Sequence, residues 1–130
     1  MTIEEQIGNL LISILENDNN VIEYSFVGSR VTCDPPPKNT DIDILILTNG
    51  IINTVSILEK IDFIITSKGY DSDDFLNMKN GKFDLIITDD RKFYKKFIKA
   101  TSICKELNLL KREDRVSLFR GILYNWEVKL

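Results

Sequence analysis

Two aspartates, Asp41 and Asp43, open an apolar run, Ile44-Leu45-Ile46-Leu47. In an extended strand, residues two apart share a face, so both carboxylates project to one side, roughly 7 Å apart at the backbone. The run behind them is apolar on both faces and reads as a buried strand. Two ionised carboxylates at the mouth of a buried strand repel each other and need a cation, a shared proton or water. Paired carboxylates aimed at one point are the donors Mg²⁺ takes when it bridges to phosphate oxygens.

Upstream, the apolar residues Phe26 and Val27 run into Gly28-Ser29, and eleven residues separate Ser29 from Asp41. Glycine at a strand end lets the chain turn sharply and approach a ligand closely. The Ser29 hydroxyl and the amides after it can then face phosphate oxygens. Asp84 lies on a third apolar segment, Phe83-Asp84-Leu85-Ile86-Ile87. It reads as a third carboxylate, the alternative being a surface acid near a turn.

This arrangement resembles the signature of the nucleotidyltransferase superfamily that includes DNA polymerase beta. There, a hydrophobic-Gly-Ser turn, about a dozen residues and an Asp-hydrophobic-Asp-hydrophobic strand are followed by a third carboxylate on a neighbouring strand. Here the matching residues are Val27-Gly28-Ser29, Asp41-Ile42-Asp43-Ile44 and Asp84, and the resemblance spans residues 21–88. It implies an α/β (α+β) fold with a small mixed sheet and packed helices. It also implies transfer of a nucleoside monophosphate from an NTP to an acceptor hydroxyl, with release of pyrophosphate. Asp41, Asp43 and Asp84 would be the catalytic and metal residues, holding two Mg²⁺ (or Mn²⁺) ions, and Gly28 and Ser29 would cradle phosphates. More weakly, residues 107–115 are similar to small phage-encoded nucleotidyltransferase-like proteins. Two rival readings stand beside transfer from an NTP. One is a catalytically idle nucleotide-binding or protein-interaction module on the same core; the other is a toxin-like or regulatory transferase acting on RNA or protein.

Composition narrows the chemistry. The chain of 130 residues is 43% hydrophobic and contains no histidine. That excludes His-containing zinc sites and Ser-His or Cys-His catalysis. One domain over residues 1–130 is expected at this length. Two cysteines, Cys33 and Cys104, make no disulfide framework. Cys104 is expected to pack inward and Cys33 to be the more reactive loop thiol. The polar, acidic opening does not read as a secretory signal, and no apolar run reaches the ~20 residues of a membrane span. A cytoplasmic location without membrane association follows as an expectation.

The net charge of −3 is unevenly spread. Residues 1–90 hold 6 Lys/Arg against 16 Asp/Glu, whereas residues 91–130 hold 11 against 4. An acidic part suited to metal precedes a basic part suited to phosphate. Arg30 and Lys38 are the loop cations nearest the motif. Lys111 and Arg115, four apart at the start of a final helix, share a face and are expected to reach the phosphates; the alternative is a solvated helix surface.

The elements that must position these groups follow from periodicity and breakers. A helix is expected over residues 2–16, capped by Thr2 with Glu4 and Glu5 in its first turn. Strands follow over 21–27 and 41–48, with a short helical turn after Ser29. Pro35-Pro36-Pro37 stops that turn and stiffens the loop. Residues 51–68 read as one helix closed by Gly69, in preference to a strand over 61–65. Asn80-Gly81 predicts a hairpin pairing strands 75–78 and 83–88, and Asp73 and Asp74 read as solvated acids. Two adjacent helices, 92–107 and 111–126, complete the chain, with Asn108 ending the first and Val116, Phe119, Leu123 and Trp126 facing inward.

Overall fold

The computed structural model describes residues 1–68 and 75–124. Five strands, β1 (Val21–Val27), β2 (Ile42–Thr48), β3 (Ile64–Lys68), β4 (Leu76–Asn80) and β5 (Phe83–Thr88), form one sheet in the order β1-β2-β5-β4-β3. β2 and β5 run parallel and every other pair is antiparallel. The helices are α1 (Ile3–Asn17), the single turn α2 (Ser29–Thr32), α3 (Ile51–Glu59), α4 (Arg91–Leu107) and α5 (Arg112–Leu123). The mixed sheet with packed helices is the expected fold class.

Burial on both faces explains the unbroken apolar run of β2. Ile44 and Ile46 pack with Leu11 and Leu15 of α1, Val55 and Leu58 of α3, and Leu85 and Ile87 of β5. Leu45 and Leu47 point the other way, to Phe93 and Tyr94 of α4. Side chains alternate along a strand, so Asp43 shares the α4 face with Leu45, and Asp84 shares it with Ile86.

The helix ends follow from their caps. The Thr2 hydroxyl accepts the Glu5 amide at 3.1 Å. Asp90 caps α4 by accepting the amides of Lys92 and Phe93, and Asn108 ends it in the left-handed conformation, φ 49°. Not every apolar position of α1 turns inward: Ile3 and Leu10 are exposed.

The helix expected over residues 51–68 is two elements. α3 stops at Glu59, Asp62 adopts φ 68°, and β3 begins at Ile64. The β-branched run Ile64-Ile65-Thr66 favours extended backbone, and the open edge of β4 gives it a partner. Phe63, only 1% exposed, anchors the reversal under the sheet. The expected helix cap Gly69 lies outside the described residues, as do Asp73, Asp74 and Trp126.

The β4–β5 hairpin forms, but its turn lies one residue further along than Asn80-Gly81 would place it. Asn80 pairs with Phe83, so the two loop residues are Gly81 and Lys82, and Gly81 takes the positive φ of 58°. Asn80 is spent otherwise: its side-chain amide donates to the Ile61 carbonyl at 3.0 Å.

Both thiols are free, and both are buried, so Cys33 lacks the exposure that its place in the loop suggested. Cys33 caps α2, with its sulfur 3.6 Å from the Leu109 carbonyl oxygen. Among the described residues, no helix is long and apolar enough to cross a membrane.

Candidate active site

The sheet register brings the sequence-predicted carboxylates together. Residues paired directly across neighbouring strands project to the same face. Val27 pairs with Asp43, Asp43 with Asp84, and Asp84 with Lys79. One row across four strands therefore reads Val27, Asp43, Asp84, Lys79. Asp41, two residues before Asp43, joins the same face just ahead of β2. Lys79 reaches across the row, its ammonium 2.9 Å from Asp41 Oδ2.

The electrostatics follow from this crowding. Asp43 is pushed up to about 7, first by burial and then by the charges of Asp84 and Asp41; Lys79 and Arg30 offset only part of this. Asp84 is also raised, again first by burial, with Lys79 pulling it down and Asp41 pushing it up. The Asp41 carboxylate raises the Lys79 ammonium above its ordinary value.

Gly28 carries this packing. Its backbone lies at φ 80°, ψ −173°, a region essentially reserved for glycine. A Cβ there would stand 1.9 Å from Asp43 Oδ2, so the carboxylate occupies the space a side chain would fill. Beyond the turn, the Ser29 and Thr40 hydroxyls lie 2.7 Å apart, and Arg30 Nε donates to the Thr40 carbonyl at 3.2 Å. The far end of the loop is tied to α4. The Asp34 amide donates to Asn108 Oδ1, and the Asn108 amide group donates back to the Asp34 carbonyl. The proline-rich loop is thus pinned at both ends, which holds Lys38 and Thr40 over the acidic row.

These groups line one end of a cavity of about 700 Å³, which Gly28, Ser29, Lys38, Asp41, Asp43 and Asp84 share with α4 and α5. Its opposite wall includes Phe75, Phe97 and Phe119. Phe97 and Phe119 meet edge to face at 4.9 Å, which fixes α5 against α4. Arg112, Arg115 and Arg120 line the same cavity.

The basic helix differs from expectation. Lys111 is the exposed N-cap residue of α5 and does not line the cavity, so its expected phosphate role is withdrawn. Arg115 does line it, but its Nη1 donates to the carbonyls of Leu109 and Leu110 at 3.0 and 2.7 Å and to Cys33 Sγ at 3.3 Å. It ties the α4–α5 turn to α2. Losing charged hydrogen bonds of this kind costs about 1.5–3 kcal/mol. Arg115→Ala should therefore lower stability to urea by that order, whereas Lys111→Ala should change it by less than about 0.5 kcal/mol.

Sequence reasoning missed Lys79, Arg112, Arg120 and the phenylalanine wall. Lys79 was legible only through the hairpin register, because its position opposite Asp84 depends on which two residues form the loop. For divalent metal, the donors fit in kind. Asp43 and Asp84 are adjacent, crowded hard oxygen donors that a cation would relieve. Among the described residues, however, no three acidic or thiol groups converge tightly enough to cage an ion as they stand. The expected third donor, Asp41, is engaged by Lys79.

No protein-family model and no curated protein matches this sequence. In structure it resembles a conserved protein, GrpB, from Enterococcus faecalis. The TM-score is 0.55 at 14% identity, over 95% of this chain and 94% of that one. At that identity the likeness is one of fold alone.

Proposed function

We propose that this chain is a metal-dependent nucleotidyltransferase that moves a nucleoside monophosphate from an NTP to an acceptor hydroxyl and releases pyrophosphate. The observation that supports this best is the pairing of Asp43 with Asp84 beside the Gly28-Ser29 turn, at one end of a cavity large enough for a nucleotide. When bound there, Mg²⁺ or Mn²⁺ would neutralise triphosphate charge and polarise the α-phosphorus. Asp43 and Asp84 would hold it. The Ser29 and Thr40 hydroxyls would donate to the outer phosphate oxygens, with Arg30 and Lys38 offsetting their charge. Asp84, kept partly basic by its surroundings, would accept the proton of the acceptor hydroxyl. The hydroxyl of an RNA or of a protein side chain would serve as such an acceptor.

A second reading, an idle nucleotide-binding module, is favoured by one observation: Asp41 is already neutralised by Lys79. The two readings share nucleotide binding and part at turnover. A ligand at a hundredfold excess over its Kd stabilises a protein by about 2.7 kcal/mol. Mg²⁺-NTP should therefore raise the melting temperature of the parent by several degrees. It should leave the Asp41→Asn/Asp43→Asn double variant, which loses charge and keeps shape, unmoved. An equal shift in both proteins would place the nucleotide elsewhere. Incubation with each labelled NTP, Mg²⁺ or Mn²⁺ and a cell extract then separates transferase from idle module: the transferase leaves label on an acceptor.

A further inference from the structure

Lys79 is the one cation within the row of carboxylates, and its place there is set by the backbone. In β4 it stands directly opposite Asp84, which stands opposite Asp43. From this position its ammonium extends to Asp41 Oδ2 at 2.9 Å. The pair is partly exposed, at 39% and 37% for the two side chains, but Lys79 leaves the sheet directly opposite Asp84 and Asp41 lies just ahead of β2, so the backbone sets where the two charges meet. Lysine supplies a single charge and three donors, with no directional fork, so one ammonium can occupy the space of a small cation among carboxylate oxygens.

We propose that Lys79 is a built-in replacement for one of the two metal ions, so that the site takes a single divalent ion, held by Asp43 and Asp84. The inference rests on the nucleotidyltransferase reading and deepens it. Three carboxylates carry three negative charges. One divalent ion and one ammonium balance them, whereas two divalent ions beside the ammonium would leave the cluster net positive before any phosphate enters. The incoming triphosphate changes that count, but its outer oxygens have Lys38, which lines the cavity, and Arg30, which lies outside the lining, is tied to Thr40 and is near enough for its charge to act on Asp43. Lys79 thus holds Asp41 in place of the second ion.

The test is a count of bound ions, independent of turnover. Mn²⁺ is titrated into the full chain at pH 8, and free Mn²⁺ is followed by electron paramagnetic resonance. The parent should bind one ion. Lys79→Met and Lys79→Gln free Asp41 and remove the local positive charge. Each should bind a second ion and hold the first on the order of tenfold more tightly, the size expected for removing one nearby like charge in a half-exposed site. Lys82→Met, the same charge change at the adjacent hairpin loop, should behave as the parent. Circular dichroism of the two Lys79 variants checks that the sheet is kept, and having two variants guards against either alone misfolding. Two ions in the parent, or one ion with unchanged affinity in both Lys79 variants, would overturn the role of Lys79 while leaving the transferase reading intact. No Mn²⁺ bound to any of the four proteins would overturn both.

Discussion

Asp43→Asn should make the metal-free protein more stable at pH 8 than the parent, by up to about 4 kcal/mol. The sign follows from linkage. In the folded protein Asp43 ionises only near pH 7, whereas in the unfolded chain it ionises near the ordinary carboxylate value, about 4. Between those limits the native state binds more protons than the unfolded state, so parent stability falls as pH rises from about 4 to about 7 and then levels off. A shift of about three units corresponds to about 4 kcal/mol. This is an upper figure because Asp43 retains some exposure and the neighbouring groups titrate with it. Burial drives the shift first, then the charges of Asp84 and Asp41, while Lys79 and Arg30 oppose it. Asp84 is raised in the same direction, so the variant should keep a shallower slope of the same sign. Asparagine keeps the shape of the side chain and has no proton to lose. Urea denaturation in EDTA at pH 5 and pH 8 reads the difference directly. The gap should be small at pH 5 and wide at pH 8, and saturating Mn²⁺ at pH 8 should raise the parent and not the variant. A variant less stable than the parent at pH 8 would mean that ionised Asp43 is stabilised by partners other than those above.

That much of this site could be read from residue order alone has a physical basis. The Gly28-Ser29 turn, the spacing to Asp41 and the two-residue period of β2 are local, and local geometry is what a sequence specifies most directly. The pairing of Asp43 with Asp84 needed only the hairpin and one parallel crossover. Lys79 needed more. Had Asn80 and Gly81 formed the loop, Lys79 would have faced Lys82, and Asn77 would have faced Asp84. The actual loop, Gly81-Lys82, moves Lys79 opposite Asp84. Moving a two-residue loop by one position shifts the pairing by two residues, so a small error in turn position conceals an entire ion pair. β3 was hidden for a different reason. Its residues suit a helix or a strand over so short a run, and the edge of β4, a tertiary partner, decides between them. The contacts of Cys33 with the Leu109 carbonyl and with Arg115 also depend on the α4–α5 turn meeting α2. Those residues are more than seventy positions apart in the chain, beyond the reach of any periodicity.

Gly28→Ala should be among the most damaging single substitutions in the chain, and should damage the site as well as the fold. Two costs add. At φ 80°, ψ −173°, a residue with a Cβ is strained by about 1–3 kcal/mol. The new methyl would also lie 1.9 Å from Oδ2, 2.7 Å from Cγ and 2.9 Å from Cβ of Asp43, and overpacking of that kind costs a further 1–3 kcal/mol or so. Asp43 has little room to yield, since Val27 and Asp84 flank it in register on the two neighbouring strands. Gly81→Ala separates the two terms. Gly81 also has a positive φ, 58°, but nothing lies within 4 Å of its absent Cβ, so alanine there should show backbone strain alone. A double-mutant cycle adds the second control. In the Gly28→Ala background, Asp43→Ala removes the carboxylate that the methyl strikes, and part of the lost stability should return. Some loss should remain, because the Asp43 Cβ is itself 2.9 Å away and the strain at residue 28 persists. Urea denaturation of the four proteins measures the coupling, expected to exceed the ~0.5 kcal/mol within which independent sites add. Additive losses at residues 28 and 43 would show that the turn and the carboxylate do not share space. The close fit of Gly28 against Asp43, on which the proposed placement of phosphate beside metal rests, would then have to be abandoned.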